Sequence, residues 1–339
     1  MYFCKYKLRT MTEDENKERI EQAKKLIEEA LRLLDQNSLS QTKTLIGHSF
    51  NVWSVDISPN GKYLASGAGN LDGEQCFGGE LFIWDVNSKE KIKIWDETHF
   101  GVLSVAWSPD GKCFACGLDD GSIFIFDLNN KEEIKTLDGH HDSVNSIIWS
   151  PDGEYLASGA DDGTIIIWDT YFGKEIKTLK VHSDIVYSIC WSPDGKYLAS
   201  VAWNDTIIIW DADSGKRNKI LKVDSDRVFS VSWSPDGRYL ASDSDDNTVI
   251  IWDADSGKRL KTLEGHSDRV FSVSWSPDGR YLASGSGDNT VIIWDANSGQ
   301  RLKTLEGHSD YDRSVCWSPD GKYLASGSFD KTVKIWSVE

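Results

Sequence analysis

Residues 265–305 read GHSDRVFSVSWSPDGRYLASGSGDNTVIIWDANSGQRLKTL, and this stretch decides the fold. It holds four short β-rich runs: Val270 to Trp275, Tyr281 to Ser284, Thr290 to Asp295 and Arg301 to Leu305. Between them lie Ser276-Pro277-Asp278-Gly279, Gly287-Asp288-Asn289 and Asn297-Ser298-Gly299. Proline presets φ for a turn, glycine accepts left-handed backbone, and Asn and Asp bond their own backbone. Apolar, β-branched runs bounded by such turns read as antiparallel strands.

The unit recurs along the chain. All seven prolines occupy the same Ser-Pro-(Asp/Asn)-Gly turn, at 59, 109, 151, 193, 235, 277 and 319. Successive gaps are 50 residues and then 42 five times, a fixed period that marks an array of one structural unit. Gly-His, Trp-Asp and the 42-residue period resemble the WD40-repeat family over residues 43–339. That resemblance implies an all-β, seven-bladed propeller over 42–339, with strands a to d of each blade running outward from the axis. The repeats open on Thr42-Lys43-Thr44-Leu45-Ile46-Gly47-His48, a d-type strand, and end on Thr332-Val333-Lys334-Ile335-Trp336, a c-type strand. The first strand is therefore expected to complete the last blade and hide its edge.

Regular His, Ser and Asp suggest a catalytic triad, but the resemblance implies a structural role. In the WD40 family a buried network links a His before strand a, a Ser or Thr on strand b, an Asp of the b–c turn and a Trp on strand c. Three repeats carry it whole: His140, Ser158, Asp162, Trp168; His266, Ser284, Asp288, Trp294; and His308, Ser326, Asp330, Trp336. The others depart. The first has His48, Ser66 and Trp84 with its Asp position in an insertion, and the fourth has His182, Ser200 and Trp210 with Asn204 for Asp. The fifth has Asp224 for His, and the second has Thr98, Cys116, Asp120 and Phe126. That second blade is expected to be the least well held. No P-loop, H-E-x-x-H or dinucleotide fingerprint occurs, so the reading is non-enzymatic, with no cofactor and no metal.

Val270 and Val273 are three apart, which breaks strand alternation and implies a bulge that re-aims a side chain. The positions around it vary from repeat to repeat. One class is Asn51, Gly101, Ser143, Ile185, Arg227, Arg269, Tyr311, and the other is Trp53, Leu103, Asn145, Tyr187, Phe229, Phe271, Arg313. The residue before the b–c turn Asp adds Asp119, Asp161, Trp203, Asp245, Gly287 and Phe329. WD40 proteins commonly bind peptides on the face carrying the d–a and b–c loops. One such face is expected to combine Trp53, Tyr187, Trp203, Phe229, Phe271, Tyr311 and Phe329 with Arg227, Arg269 and Arg313, the residue types of interface hot spots. The competing reading is that several of these aromatics plug the central channel. Residues 225–242 and 267–284 are identical, so Arg227 and Arg269 read as copies of one duplicated segment. Asp142, Asp184, Asp226, Asp268 and Asp310 share the rim and favour a cationic partner, or simply cap the d–a turns. The first repeat carries eight extra residues within 70–79, whose Phe77 is expected to wall the same site or to belong to a tolerated insertion.

Formal net charge is −17, which disfavours nucleic acid and anionic membrane, and no run of 18 apolar residues marks a membrane span. Five of the six Cys lie inside the repeats and do not read as a disulfide framework, so a cytoplasmic location is expected. Cys113 and Cys116 form C-x-x-C on a strand, where odd separation points the thiols apart. Residues 1–12 read as a disordered leader, 13–36 as an amphipathic helix and 37–41 as a linker. Thr12 and Glu15 make a capping box, and Ile20, Ala23, Ile27, Ala30, Leu31 and Leu34 share one stripe. That helix is expected to dock on the propeller or pair with a second helix. The reading is a protein-interaction scaffold or sensor domain taking a peptide or protein on the loop face. The alternative is a small-molecule or glycan-binding propeller using Trp53 and Trp203.

Overall fold

Each Ser-Pro-Asp-Gly turn closes a hairpin. In the sixth repeat the Gly279 N–H donates to Ser276 O at 2.9 Å and the Ser276 N–H to Tyr281 O at 2.9 Å. Gly279 sits at φ +69°, and Asp278 Oδ1 accepts the Ser276 hydroxyl at 2.6 Å. The turn thus satisfies its own polar groups, and strands a and b leave it antiparallel.

The computed structural model describes residues 42–70, 78–129, 132–180, 184–223 and 227–338. The described residues form 28 strands in seven four-stranded sheets. Six sheets are built from strands consecutive in sequence. The seventh runs β1 (Lys43–Ile46), β28 (Thr332–Ser337), β27 (Tyr323–Ser328), β26 (Asp312–Trp317), with Leu45 opposite Val333. The opening strand therefore completes the last blade, and the seven-bladed propeller is closed. The helix expected over 13–36, the leader, the linker and Phe77 lie outside the described residues.

Blades pack through their inner strands. A Cβ on Gly117 of strand b would lie 2.6 Å from Val144 Cγ1 of the next blade, and Gly67 and Gly159 stand against Val102 and Val186 at the same 2.6 Å. Glycine is required at these three positions because the neighbouring valine occupies the space of its side chain. A second set of contacts circles the axis. The strand a serine of every blade accepts a backbone N–H from the next: Ser54 from Val105, Ser104 from Ile147, Ser146 from Ile189, Ser188 from Val231, Ser230 from Val273, Ser272 from Val315 and Ser314 from Val55. These seven bonds, 3.0–3.3 Å long, link all blades in a ring. At about 0.5–1.5 kcal/mol net each they stabilise closure itself. Sequence reading missed them, although one Ser recurs two places after the first strand a Val position in all seven repeats.

The buried polar networks run from strand c to the d–a loop. In the sixth blade Trp294 Nε1 donates to Ser284 Oγ at 2.8 Å, His266 Nε2 lies 2.7 Å from the same oxygen, and His266 Nδ1 lies 2.9 Å from Asp288 Oδ2. The carboxylate accepts only, so Nδ1 carries the proton and Nε2 takes the serine hydroxyl. Burial alone would raise the Asp288 carboxyl, but bonds from His266, Thr290 and the Ser267 N–H outweigh it and hold it low. The third and seventh blades repeat the geometry, with His140 Nδ1 at 3.1 Å from Asp162 and His308 Nδ1 at 2.8 Å from Asp330. The first blade supplies its carboxylate from elsewhere: Glu80, on strand c, lies 2.9 Å from His48 Nδ1 and accepts the Ser49 N–H. It occupies the place of Thr164 in the third blade, four residues before the Trp, and its longer side chain covers the gap left by the insertion.

Candidate functional site

Strand a carries the predicted bulge. In β22 (Val270–Trp275), Val270 pairs with Ser286 and Ser272 with Gly285, which leaves Phe271 as the extra residue. The same shift isolates Trp53, Leu103, Asn145, Tyr187 and Arg313 in their own blades. The fifth blade differs: its strand a, β18, shortens to Val231–Trp233. There Asp243 replaces the strand b glycine, and its buried carboxyl accepts the N–H groups of Phe229 and Ser230 at 2.8–2.9 Å. Side chain substitutes for ladder, and Phe229 still reaches the axis.

These extra residues line the mouth of the central channel, a cavity of about 150 Å³ reaching down to the serine ring. The other two variable classes are fastened above them. The N–H before the b–c turn donates to the carbonyl before strand a: Asp119 to Gly101, Asp161 to Ser143, Trp203 to Ile185, Asp245 to Arg227, Gly287 to Arg269 and Phe329 to Tyr311, at 2.8–3.2 Å. Three sequence classes therefore become one surface.

All seven described aromatics of the predicted face touch in a single chain. Ring centroids lie 6.0 Å apart for Trp203–Tyr187, 5.1 Å for Tyr187–Phe229, 5.3 Å for Phe229–Phe271 and 5.8 Å for Phe271–Tyr311. Tyr311–Phe329 at 6.0 Å and Phe329–Trp53 at 4.7 Å complete it. Its rings differ in exposure. Trp203 is 38% exposed and Tyr311 41%, whereas Phe229 and Phe271 are half-buried toward the channel. Rim-facing and plugging aromatics are thus parts of one arc.

The arginines divide the same way. Arg227 stacks on Trp203 at 4.0 Å, and Arg269 Nε pairs with Asp245 at 2.8 Å on the rim. Arg313 points inward, its guanidinium 5.0 Å from the Phe271 centroid, 5.3 Å from Trp53 and 5.8 Å from Phe229. Blades two and three face this arc with Leu103, Asn145, Asp119 and Asp161. Burial pushes the Asp119 and Asp161 carboxyls up. Both Asp119 oxygens are enclosed with no hydrogen-bond partner among the described residues, while Asn145 donates to Asp161. Of the d–a loop aspartates, Asp142, Asp268 and Asp310 each accept the next residue's N–H at 2.7–2.9 Å, the local capping bond. On the opposite face Tyr171 and Phe172, 80% and 67% exposed, meet edge-on at 4.9 Å in a c–d turn where the fourth to sixth blades carry Asp-Ser or Asn-Ser before the glycine. Sequence reading passed over this pair, and its signal was that departure.

Four family models match parts of the chain. They are described as the WD domain, G-beta repeat, over 39–85; the Anaphase-promoting complex subunit 4 WD40 domain, over 78–145; the IFT122 first beta-propeller, over 119–252; and the WDR19 first beta-propeller, over 186–339. Among curated proteins, the chain is similar to eukaryotic translation initiation factor 3 subunit I. The Aspergillus fumigatus protein is 35% identical over 69 residues, 20% of this chain and 18% of its own. The Candida albicans protein is 35% identical over 69 residues, 20% of this chain and 17% of its own. That match spans less than a fifth of the relatives' own length.

Proposed function

Because the chain belongs to the WD40-repeat β-propeller family, we propose that it is a non-enzymatic protein-interaction scaffold whose loop face, around the channel mouth, takes a peptide or protein segment. The continuous arc from Trp203 to Trp53 carries this reading. Aromatic and arginine side chains held rigid by mutual packing contribute large contact area at little entropic cost, the usual make-up of hot spots. The relatives' names, subunits of an initiation factor and of an anaphase-promoting complex, support a role in assembly. Carboxylates of blades two and three face the arc, which suits a segment carrying cationic side chains. No described helix is long and apolar enough to cross a membrane, and the four described cysteines are unbridged, in keeping with a cytoplasmic scaffold.

Affinity capture compares wild type with a Trp203→Ala/Tyr311→Ala variant and a Tyr171→Ser/Phe172→Ser variant. Both pairs are exposed, so the fold tolerates their loss. A protein partner weakened roughly tenfold or more by the first pair and unaffected by the second is the expected result. Partners retained by the first variant and lost by the second would move the binding site to the opposite face. Saturable binding of an oligosaccharide that quenches Trp203 would instead favour the glycan reading.

A further inference from the structure

Arg313 is held in an unusual way for a charged side chain. Three aromatic rings fence its guanidinium within 6 Å, yet its N–H donors meet no acceptor among the described residues. A guanidinium presents five donors in a fixed fork and stays charged, and because Arg313 is only half-buried these donors stay open to the channel. Beneath it the serine ring offers more donors. Every ring serine accepts a backbone N–H through its oxygen, and no described residue accepts its hydroxyl proton. The Tyr187 hydroxyl likewise meets no acceptor among the described residues, and burial pushes it up to about 12, so it stays a donor. The carboxyl that acts on Arg313, Asp243, is turned to the Phe229 and Ser230 N–H groups, and burial raises it to about 8. It therefore leaves most of the Arg313 charge uncancelled at neutral pH.

The Arg313 side of the channel mouth is thus rich in donors and positively charged at one point, opposite the Asn145 side where Asp161 lies, inside a protein of net charge −17. A cavity of about 150 Å³ has room for one small oxyanion in place of a few waters, each of which takes about 30 Å³. We propose that the channel is an oxyanion site, with Arg313 as its anchor and Tyr187 and the ring serines as additional donors. The ligand chemistry is a phosphate or carboxylate group, either a free anion or the side chain of a bound peptide. Planar, bidentate contact with such a group is what a fenced guanidinium is built for. The site is separate from the partner reading: a free anion can bind whether or not the rim takes a peptide.

The test is calorimetric titration of the full chain at low ionic strength with inorganic phosphate, with a phosphoserine peptide and with a glutamate peptide. One-to-one phosphate binding, weakened at least tenfold in Arg313→Gln and less in Arg313→Lys, is expected. Tighter binding of either peptide than of the free anion assigns the group to a peptide; binding of phosphate alone assigns it to a free anion. If Arg313→Gln fails to fold, the Arg313 Nε resonance of wild type decides, and a saturable shift on adding phosphate is expected. Absence of saturable heat and of any Nε shift overturns the proposal, as does undiminished binding in folded Arg313→Gln.

Discussion

The sixth and second blades share a strand plan and fill it differently. In the sixth, Trp294, Ser284, His266 and Asp288 form one hydrogen-bonded line from strand c to the d–a loop. In the second, Phe126 and Cys116 occupy the Trp and Ser positions, 2% and 0% exposed. Phe126 stacks on Phe114 at 5.1 Å and meets Trp95 edge-on at 4.8 Å, with Trp107 a further 5.3 Å from Phe114. Replacing the buried Trp and Ser by apolar groups, with Thr98 and Asp120 turned to local bonds, leaves nothing stranded, whereas removing one member of an intact network strands the rest. Blade two is therefore a substituted blade and not a broken one.

The largest expected effect follows directly. Ser284→Ala leaves the Trp294 N–H and the His266 ring nitrogen without their shared partner, at roughly 1–3 kcal/mol for each group. Cys116→Ala at the matching position removes only packing, about 1 kcal/mol. Urea denaturation of both variants measures the difference, and equal losses would break the comparison.

Why one blade was legible and the other was not is a question of chemistry. Repeat period, turn residues and strand order stand in the sequence because turns need Pro, Gly and Asp at fixed places. The closing strand and the strand a bulge could be read for the same reason, as a spare d-type segment and a broken alternation. Aromatic replacement in blade two left a gap in the pattern, and a gap does not say what fills it. Glu80 was hidden because an eight-residue insertion moved the carboxylate off register, and Asp243 because a bond to strand a has no sequence spacing. At the mouth, residue types predicted the arc, but only geometry separates Arg313, turned into the channel, from Arg227 and Arg269 on the rim.

A second contrast lies between the sixth and seventh blades, whose networks match. Asp312 stands in β26 where Val270 stands in β22, fully buried against the same kind of inter-blade wall. Both its oxygens lack a partner, and its nearest polar neighbour, His308 Nε2 at 3.4 Å, already meets Ser326 at 2.8 Å. Burial raises this carboxyl to about 8, well above its ordinary 3.8. The sign follows: between those values the folded state holds a proton that the unfolded chain releases, so this group's contribution to stability is present below about 4 and lost as pH rises through 8. Asp312→Val is expected to stabilise the protein by roughly 1–3 kcal/mol at pH 8 and by least near pH 4. Chemical denaturation across that range checks it, and a gain that does not grow with pH would mean the carboxyl is solvated.

The smallest expected effect concerns dynamics. In the sixth blade the Ser267 N–H and His266 both reach Asp288, which ties the d–a loop to the b–c turn by directional bonds. In the second, the Thr98 hydroxyl bonds Phe100 O, two residues on. Aromatic packing resists separation of the sheet but does not fix the loop, because dispersion falls off smoothly and has no preferred direction. Local opening of β8 (Ile123–Asp127) and β9 (Glu133–Leu137) therefore breaks fewer specific bonds than opening of β24 (Thr290–Asp295) and β25 (Arg301–Glu306). A difference of one net hydrogen bond, about 1 kcal/mol, corresponds to roughly fivefold faster amide exchange in the second blade. Equal protection by hydrogen–deuterium exchange would mean that the Trp95–Phe126–Phe114 stack holds its strands as firmly as the network does, and that the two ways of filling a blade are equivalent in motion as well as in burial.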